Sequence, residues 1–196
     1  MQTAHNIFPR KGLPGELFDA REGQDIITCQ ANEDLAFGRW VELVTTGDTV
    51  TGPPLVQLPQ QTCTTTASGS GFSTGGLIGV VIRPQQQENN TWPANTDQGV
   101  KAGSRVSVLR RGRIFAERDT ADSLAVTRFA AVGVDHSSVY TTSRGKTLLS
   151  QSILAAGSTA GTEANAITLA QVFQDEAADS GGASNANIIC LEVYVK

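Results

Sequence analysis

Residues 101–117 read KAGSRVSVLRRGRIFAE, and the fold depends on how the glycine in their midst is used. Arg105–Arg110 alternates polar and apolar residues, with Val106 and Val108 on one face. Gly112–Glu117 restarts the alternation around Ile114. A glycine between two such runs signals a hairpin or a bulge. The stretch therefore reads as two adjoining barrel strands that meet at a charged turn, with Arg110, Arg111 and Arg113 clustered there. This is the densest basic cluster in the chain. No aromatic residue interleaves with it before Phe115, so it makes a poor stacking platform for single-stranded nucleic acid. Arginine forks onto carboxylates as well as phosphates. The cluster is accordingly read as a contact for acidic groups of a partner protein, with no direct nucleic-acid role.

Outward from this stretch the chain keeps the same character. Asp25–Thr51 contains IITCQ and FGRWVELV (Phe37–Val44), both rich in strand-favouring types. Val50–Leu58 holds Pro53 and Pro54 and reads as a loop or an edge. Leu77–Arg83, LIGVVIR, is a nearly continuous apolar run that fits a buried strand. Residues 60–76 and 84–99 are long polar loops, the second anchored by Trp92-Pro93. Phe129–Val134 and Ser138–Thr142 are further strand candidates. In Thr147–Gly157, Leu148, Leu149, Ile153 and Leu154 fall on one helical face. Ile167–Ala177 begins as a strand with Ile167, Leu169 and Val172 toward the core. Asn187–Lys196 closes the chain as a strand, Leu191, Val193 and Val195 alternating with Glu192, Tyr194 and Lys196. Eight to ten short strands between Gly- and Ser-rich loops predict an all-β fold: a single β-barrel or sandwich domain over residues 21–196.

Residues 1–20 differ. Pro9, Gly12, Pro14 and Gly15 exclude regular periodicity, so this part reads as an extended N-terminal arm. Ile7, Phe8, Leu13, Leu17 and Phe18 give it too much apolar surface for a free tail. Such an arm docks, either on its own domain or on a neighbour, and these five residues join Arg110, Arg111 and Arg113 as candidate partner contacts.

The 196 residues suffice for one sizeable domain. Charged residues are only 17% of the chain, below the usual quarter. Thr, Ser, Asn, Gln and Gly supply the surface instead, which suits a protein that lies against other protein. The net charge of -4 opposes a polyanion-binding role for the whole domain. Met1–Arg10 lacks a basic segment followed by an apolar run, and no segment approaches the ~20 apolar residues of a membrane span. These features predict synthesis in a cytoplasm and no membrane partner. Cys29, Cys63 and Cys190 show no metal-binding spacing, and with only His5 and His136 beside them they read as free, mostly buried thiols. No cofactor is expected.

Catalytic patterns fail on inspection. Ser143-Arg144-Gly145-Lys146 fits S-x-x-K, but Gly145 marks a turn where that chemistry needs a helix. Gly145-Lys146-Thr147 resembles the end of a phosphate-binding loop, yet Tyr140 stands where the loop needs glycine. Asp135-His136-Ser137 is sequence adjacency, not a triad, since neighbours on a strand face opposite ways. Asp175, Glu176 and Asp179 lack the alternation of a calcium loop. The chain is read as not an enzyme.

LIGVVIRP, a polar loop, then VKAGSRVSVLRRGRIFAE resembles the central signature of tailed-phage capsid cement (decoration) proteins. Gly79, Val80 and Arg83 match its first part; Gly103, Val106, Val108, Gly112, Ile114 and Phe115 match its second. LPGELFDA (Leu13–Ala20) looks like that group's arm segment, and VFQDEAADSGGASNANIICLEVYVK like its last hairpin. The resemblance implies a small β-barrel that forms a homo-oligomer, dimer or trimer, binds the outside of a capsid in the virion and bridges major capsid protein subunits. A second reading is a virion-surface domain binding a carbohydrate or receptor, prompted by Trp92 and the long Thr/Ser/Asn loops.

Overall fold

The computed structural model describes residues 13–18, 23–44, 52–59, 77–84, 99–119, 128–129, 131–134, 144–149, 167–173 and 188–195. They form strands and no helix: β1 (Asp25–Ala31), β2 (Leu35–Ala36), β3 (Trp40–Leu43), β4 (Leu55–Gln57), β5 (Leu77–Val81), β6 (Gly99–Val100), β7 (Arg105–Glu117), β8 (Ala131–Val134), β9 (Thr147–Leu149), β10 (Ile167–Val172) and β11 (Ile188–Tyr194). The all-β barrel expected from the strand pattern is what the chain forms.

The organising element is β7, and it corrects the reading of the central stretch. Arg105–Glu117 is one strand of 13 residues, with no turn at RRGR. Arg111, Gly112 and Arg113 stand opposite Tyr194, Val193 and Glu192 of β11 in unbroken antiparallel register, so the chain cannot reverse there. The glycine serves a bulge instead. The register against β1 slips between Asp25 and Ile26, which face Arg111 and Leu109. Gly112 has φ 136°, and a Cβ on it would stand 3.1 Å from the Gln24 side chain. A residue without Cβ lets the strand change phase and continue.

This length lets β7 serve two sheets. Its first half closes a five-stranded barrel in the order β1-β4-β3-β5-β7, the seam being the β1–β7 pairing. From its second half β11, β10, β8 and β9 follow in turn, and a bridge from Arg118 to Thr147 brings β9 back to the end of β7. β2 and β6 form a small separate ribbon.

Two cores result. Cys29, Ala31, Val41, Val56, Val81, Val106 and Val108 fill the first barrel. Trp40, Val80, Leu109, Ile114, Val132, Val172, Ile189, Leu191 and Val193 fill the space between its outer wall and the second sheet. β5 lies between the two and buries both faces, which is why its sequence is apolar without alternation. Trp40 is wholly buried, its indole N–H donating to Thr147 Oγ1 at 3.1 Å.

Two smaller expectations are revised. Val50–Leu58 is not a loop or edge throughout: β4 is paired on both sides, by β1 and β3. Pro53 and Pro54 precede it, so its own ladder N–H groups remain available. Thr147–Leu149 is a strand, not a helical start, held by β8. On β10 Val172 faces the core as expected, joined by Ala170, while the side chains of Ile167 and Leu169 lie outside those described. Phe129 stands in a turn ahead of β8. Ser138–Thr142, residues 150–157, residues 60–76 and residues 85–98, including Trp92, lie outside the described residues.

Candidate interaction surface

On an antiparallel sheet, directly opposed residues project to the same side. The outward side of β7, β11 and β10 can therefore be read row by row. Arg111 stands opposite Tyr194; Arg113 opposite Glu192, which stands opposite Gln171; Phe115 opposite Cys190. Side-chain bonds tie the middle row together: Arg113 Nη2 lies 3.3 Å from Glu192 Oε1, and Gln171 Nε2 donates to Glu192 Oε2 at 3.0 Å.

The N-terminal segment completes this face. The Gly15 N–H donates to the Phe115 carbonyl, the Phe115 N–H to the Glu16 carbonyl, and the Phe18 N–H to the Arg113 carbonyl. Residues 13–18 thus run beside the second half of β7 like an added short strand, bridged at Leu17–Ile114. Alternation sends Leu17 against the core and Phe18 to the outer side. The Phe18 ring packs against Phe115 at 5.6 Å and Phe173 at 5.3 Å between centroids. Arg113 lies 3.8 Å over the Phe173 ring, and Arg128 stands between Phe173 at 5.5 Å and Phe129 at 4.8 Å. Each such contact contributes roughly 0.5–1.5 kcal/mol, so together they hold the face rigid. At its border Phe129 is 61% exposed and Tyr194 38%. An Arg-, Tyr- and Phe-rich face of this kind has the composition of protein contact centres.

The sequence profile of the structural cement proteins (E217 gp24/Pam3 gp6) matches residues 1–191.

The chain belongs to the phage structural cement protein family. Among solved structures the cement protein is similar to a chain described as "The capsid of Myoviridae Phage XM1". The TM-score is 0.58 at 15% identity, with 98% of both chains covered. That similarity concerns the fold. No curated protein matches the sequence.

Of the candidate contact residues, the cement protein brings Phe18, Arg111 and Arg113 to this one face. Leu17 turns inward. Arg110 turns to Asp25, Nη1 to Oδ2 at 3.5 Å. Leu13 is exposed at the turn that its N–H closes onto Glu16 Oε2. Ile7 and Phe8 lie outside the described residues. Sequence reasoning missed Arg128, Phe129, Phe173 and Tyr194 as members. Phe173 and Tyr194 were within reach, since each continues the outward phase of a strand. Phe129 was read as the start of a strand and Arg128 gave no signal; both stand in a turn instead.

The S-x-x-K segment has a structural use. Gly145 sits in a turn at φ 79°, and Lys146 Nζ lies 3.3 Å from Glu117 Oε1. Arg39 forks onto the same carboxylate, Nε to Oε2 at 2.7 Å, while Arg144 pairs with Glu33 at 2.8 Å. This largely buried network ties β7 to the β8–β9 connection and to the start of β3. Ser143, Asp135, His136, Asp175, Glu176 and Asp179 lie outside the described residues. Among the described residues no cluster of His, Cys, Asp and Glu has metal-site geometry, and no helix is long and apolar enough to cross a membrane. Cys29 and Cys190 are buried thiols outside any disulfide; Cys63 lies outside the described set.

Proposed function

We propose that this cement protein binds the outside of an assembled phage capsid and joins neighbouring major capsid protein subunits, stabilising the shell. The observation that carries this reading is the family match over nearly the whole chain. The low-charge Thr/Ser/Gln surface and the rigid Arg- and aromatic-rich face are consistent with it. The protein is made in the host cytoplasm, ends on the virion exterior, acts as a dimer or trimer, and contacts neither nucleic acid nor membrane directly. Modest contacts repeated over a shell add up through multivalency. Purified protein added to capsids that lack it should bind to a saturable number of copies and raise the temperature at which the shells break. Capsids that take up no protein in sedimentation would sink the proposal.

A further inference from the structure

We infer that the outward β7–β11–β10 face is the surface that meets the shell, and that it receives a segment carrying carboxylates beside an apolar side chain. The inference rests on the capsid-binding reading above and names the site and the partner's chemistry.

Charge is the first ground. Among the described residues this face carries Arg111, Arg113 and Arg128 against Glu192 and Asp25, the latter engaged by Arg110, in a chain whose net charge is -4. Arg113 is held by Glu192 and by the Phe173 ring. Arg111 is exposed on the row between Asp25 and Tyr194, and no ion pair engages it among the described residues. Its fork is placed to take a carboxylate from outside.

Phe129 is the second and independent ground. Among the described residues it is the non-glycine residue with φ in the left-handed region, at 64°, and its side chain is their most exposed large apolar group. Its N–H donates to the Val172 carbonyl, which any residue but proline could do. Glycine would hold the same turn without strain. Phenylalanine there adds strain and gains little burial within the chain. A strained, exposed aromatic beside an arginine fits a contact made with another molecule. The ring with Arg128 beside it offers the apolar part of the site at the β10 side, and Arg111 offers a cation across the face on β7. DNA is the poorer fit, because Phe115 is 6% exposed and Phe18 and Phe173 are packed on it, leaving Phe129 and Tyr194 open at the border instead of a run of stacking surfaces.

The test measures binding of wild type, Arg111→Glu, Phe129→Gly and Lys101→Glu to capsids lacking the protein, with melting temperature and oligomeric state recorded for each. Lys101 lies on an exposed turn paired to Asp34, away from this face, and its reversal changes net charge as much as that of Arg111. Arg111→Glu and Phe129→Gly should each weaken binding more than tenfold. Lys101→Glu should bind as wild type, and Phe129→Gly should melt at the wild-type temperature or above it. Raised salt should weaken wild type more than Arg111→Glu. If wild type binds and both face variants bind equally well, the face is wrong while the capsid-binding reading stands. If wild type itself does not bind, that reading falls and takes the inference with it. If Arg111→Glu instead dissociates an oligomer, or abolishes an affinity for DNA, the partner named here is wrong.

Discussion

Gly15 and Gly38 meet back to back: a Cβ on Gly38 would stand 2.8 Å from the Gly15 nitrogen, and one on Gly15 would stand 3.0 Å from the Gly38 nitrogen. Both have positive φ, 81° and 77°. The Gly38 N–H donates to the Val81 carbonyl, and its own carbonyl accepts from Glu117. Gly15 accepts from Arg83 and donates to Phe115. The two glycines thus rivet the N-terminal segment to β5 and β7. Gly38→Ala adds left-handed strain of ~1–2 kcal/mol to a backbone clash and should destabilise by about 2–4 kcal/mol. Gly23→Ala, at φ 99° with no atom within 4 Å of the added Cβ, should cost only the strain. Urea unfolding of the two variants checks the difference; equal losses would show that the close approach is unimportant.

Because residues 13–18 are built into the barrel, the arm divides in two. Removing residues 1–11 leaves the described contacts of Leu13–Phe18 in place, so melting should stay at the wild-type temperature. Removing residues 1–18 strips Phe18 from Phe115 and Phe173 and Leu17 from the core. That truncation should melt several degrees lower or fail to fold. If the short truncation loses capsid binding while keeping its melting temperature, Ile7 and Phe8 act in binding alone.

Phe18→Ala isolates the outer ring contact. Phe18 is half-buried, with two ring neighbours. The expected loss is about 2 kcal/mol, below the ~3–5 kcal/mol of a fully buried phenylalanine. For a chain of this size that lowers melting by roughly 4–8 °C. Calorimetry showing no shift would mean that Arg113 and Phe173 close the gap unaided.

These experiments follow the line between what local sequence specifies and what distant segments build. The alternation of Leu191, Val193 and Glu192, Tyr194 predicts β11, because one of its faces meets the core and the other faces outward. LIGVVIR predicts a buried strand, because β5 is covered on both sides. RRGR misleads, since the same glycine serves a turn or a bulge and the choice belongs to Tyr194–Glu192, far along the chain. The leucines at 148 and 149 fit a helix locally, and only the ladder to Val132–Val134 makes them a strand. The outward face is least legible: Arg113, Phe173 and Arg128 come from three separate segments, and only the register of β7, β11 and β10 places them together.

Glu117 joins β7 to both Arg39 and Lys146, with the side chains of all three less than one-fifth exposed. Replacing it with glutamine leaves two cations close together without their shared anion. Breaking a fully buried pair costs ~3–5 kcal/mol, so about 2–3 kcal/mol is expected for this partly screened one. Added salt should recover part of the stability of Glu117→Gln by screening the two cations. Chemical unfolding at low and high salt checks both points, and a loss below about 0.5 kcal/mol would make the network a surface pair in effect.

Cys29 gives a prediction in pH. It lies wholly buried in the first barrel, and burial pushes its thiol from 9.0 up to about 11. Below pH 9.0 the thiol is protonated in both folded and unfolded chains and adds no pH dependence. Between 9.0 and about 11 the unfolded chain releases the proton while the fold retains it, so stability falls as pH rises. The neutral thiol is also a poor nucleophile. Iodoacetamide at pH 8 should therefore leave Cys29 unmodified in the native protein and label it in urea, read by peptide mass spectrometry. Cys29→Ala should flatten the alkaline fall in stability while removing a small core contact. Rapid native labelling of Cys29 would mean that the β1–β7 seam opens readily.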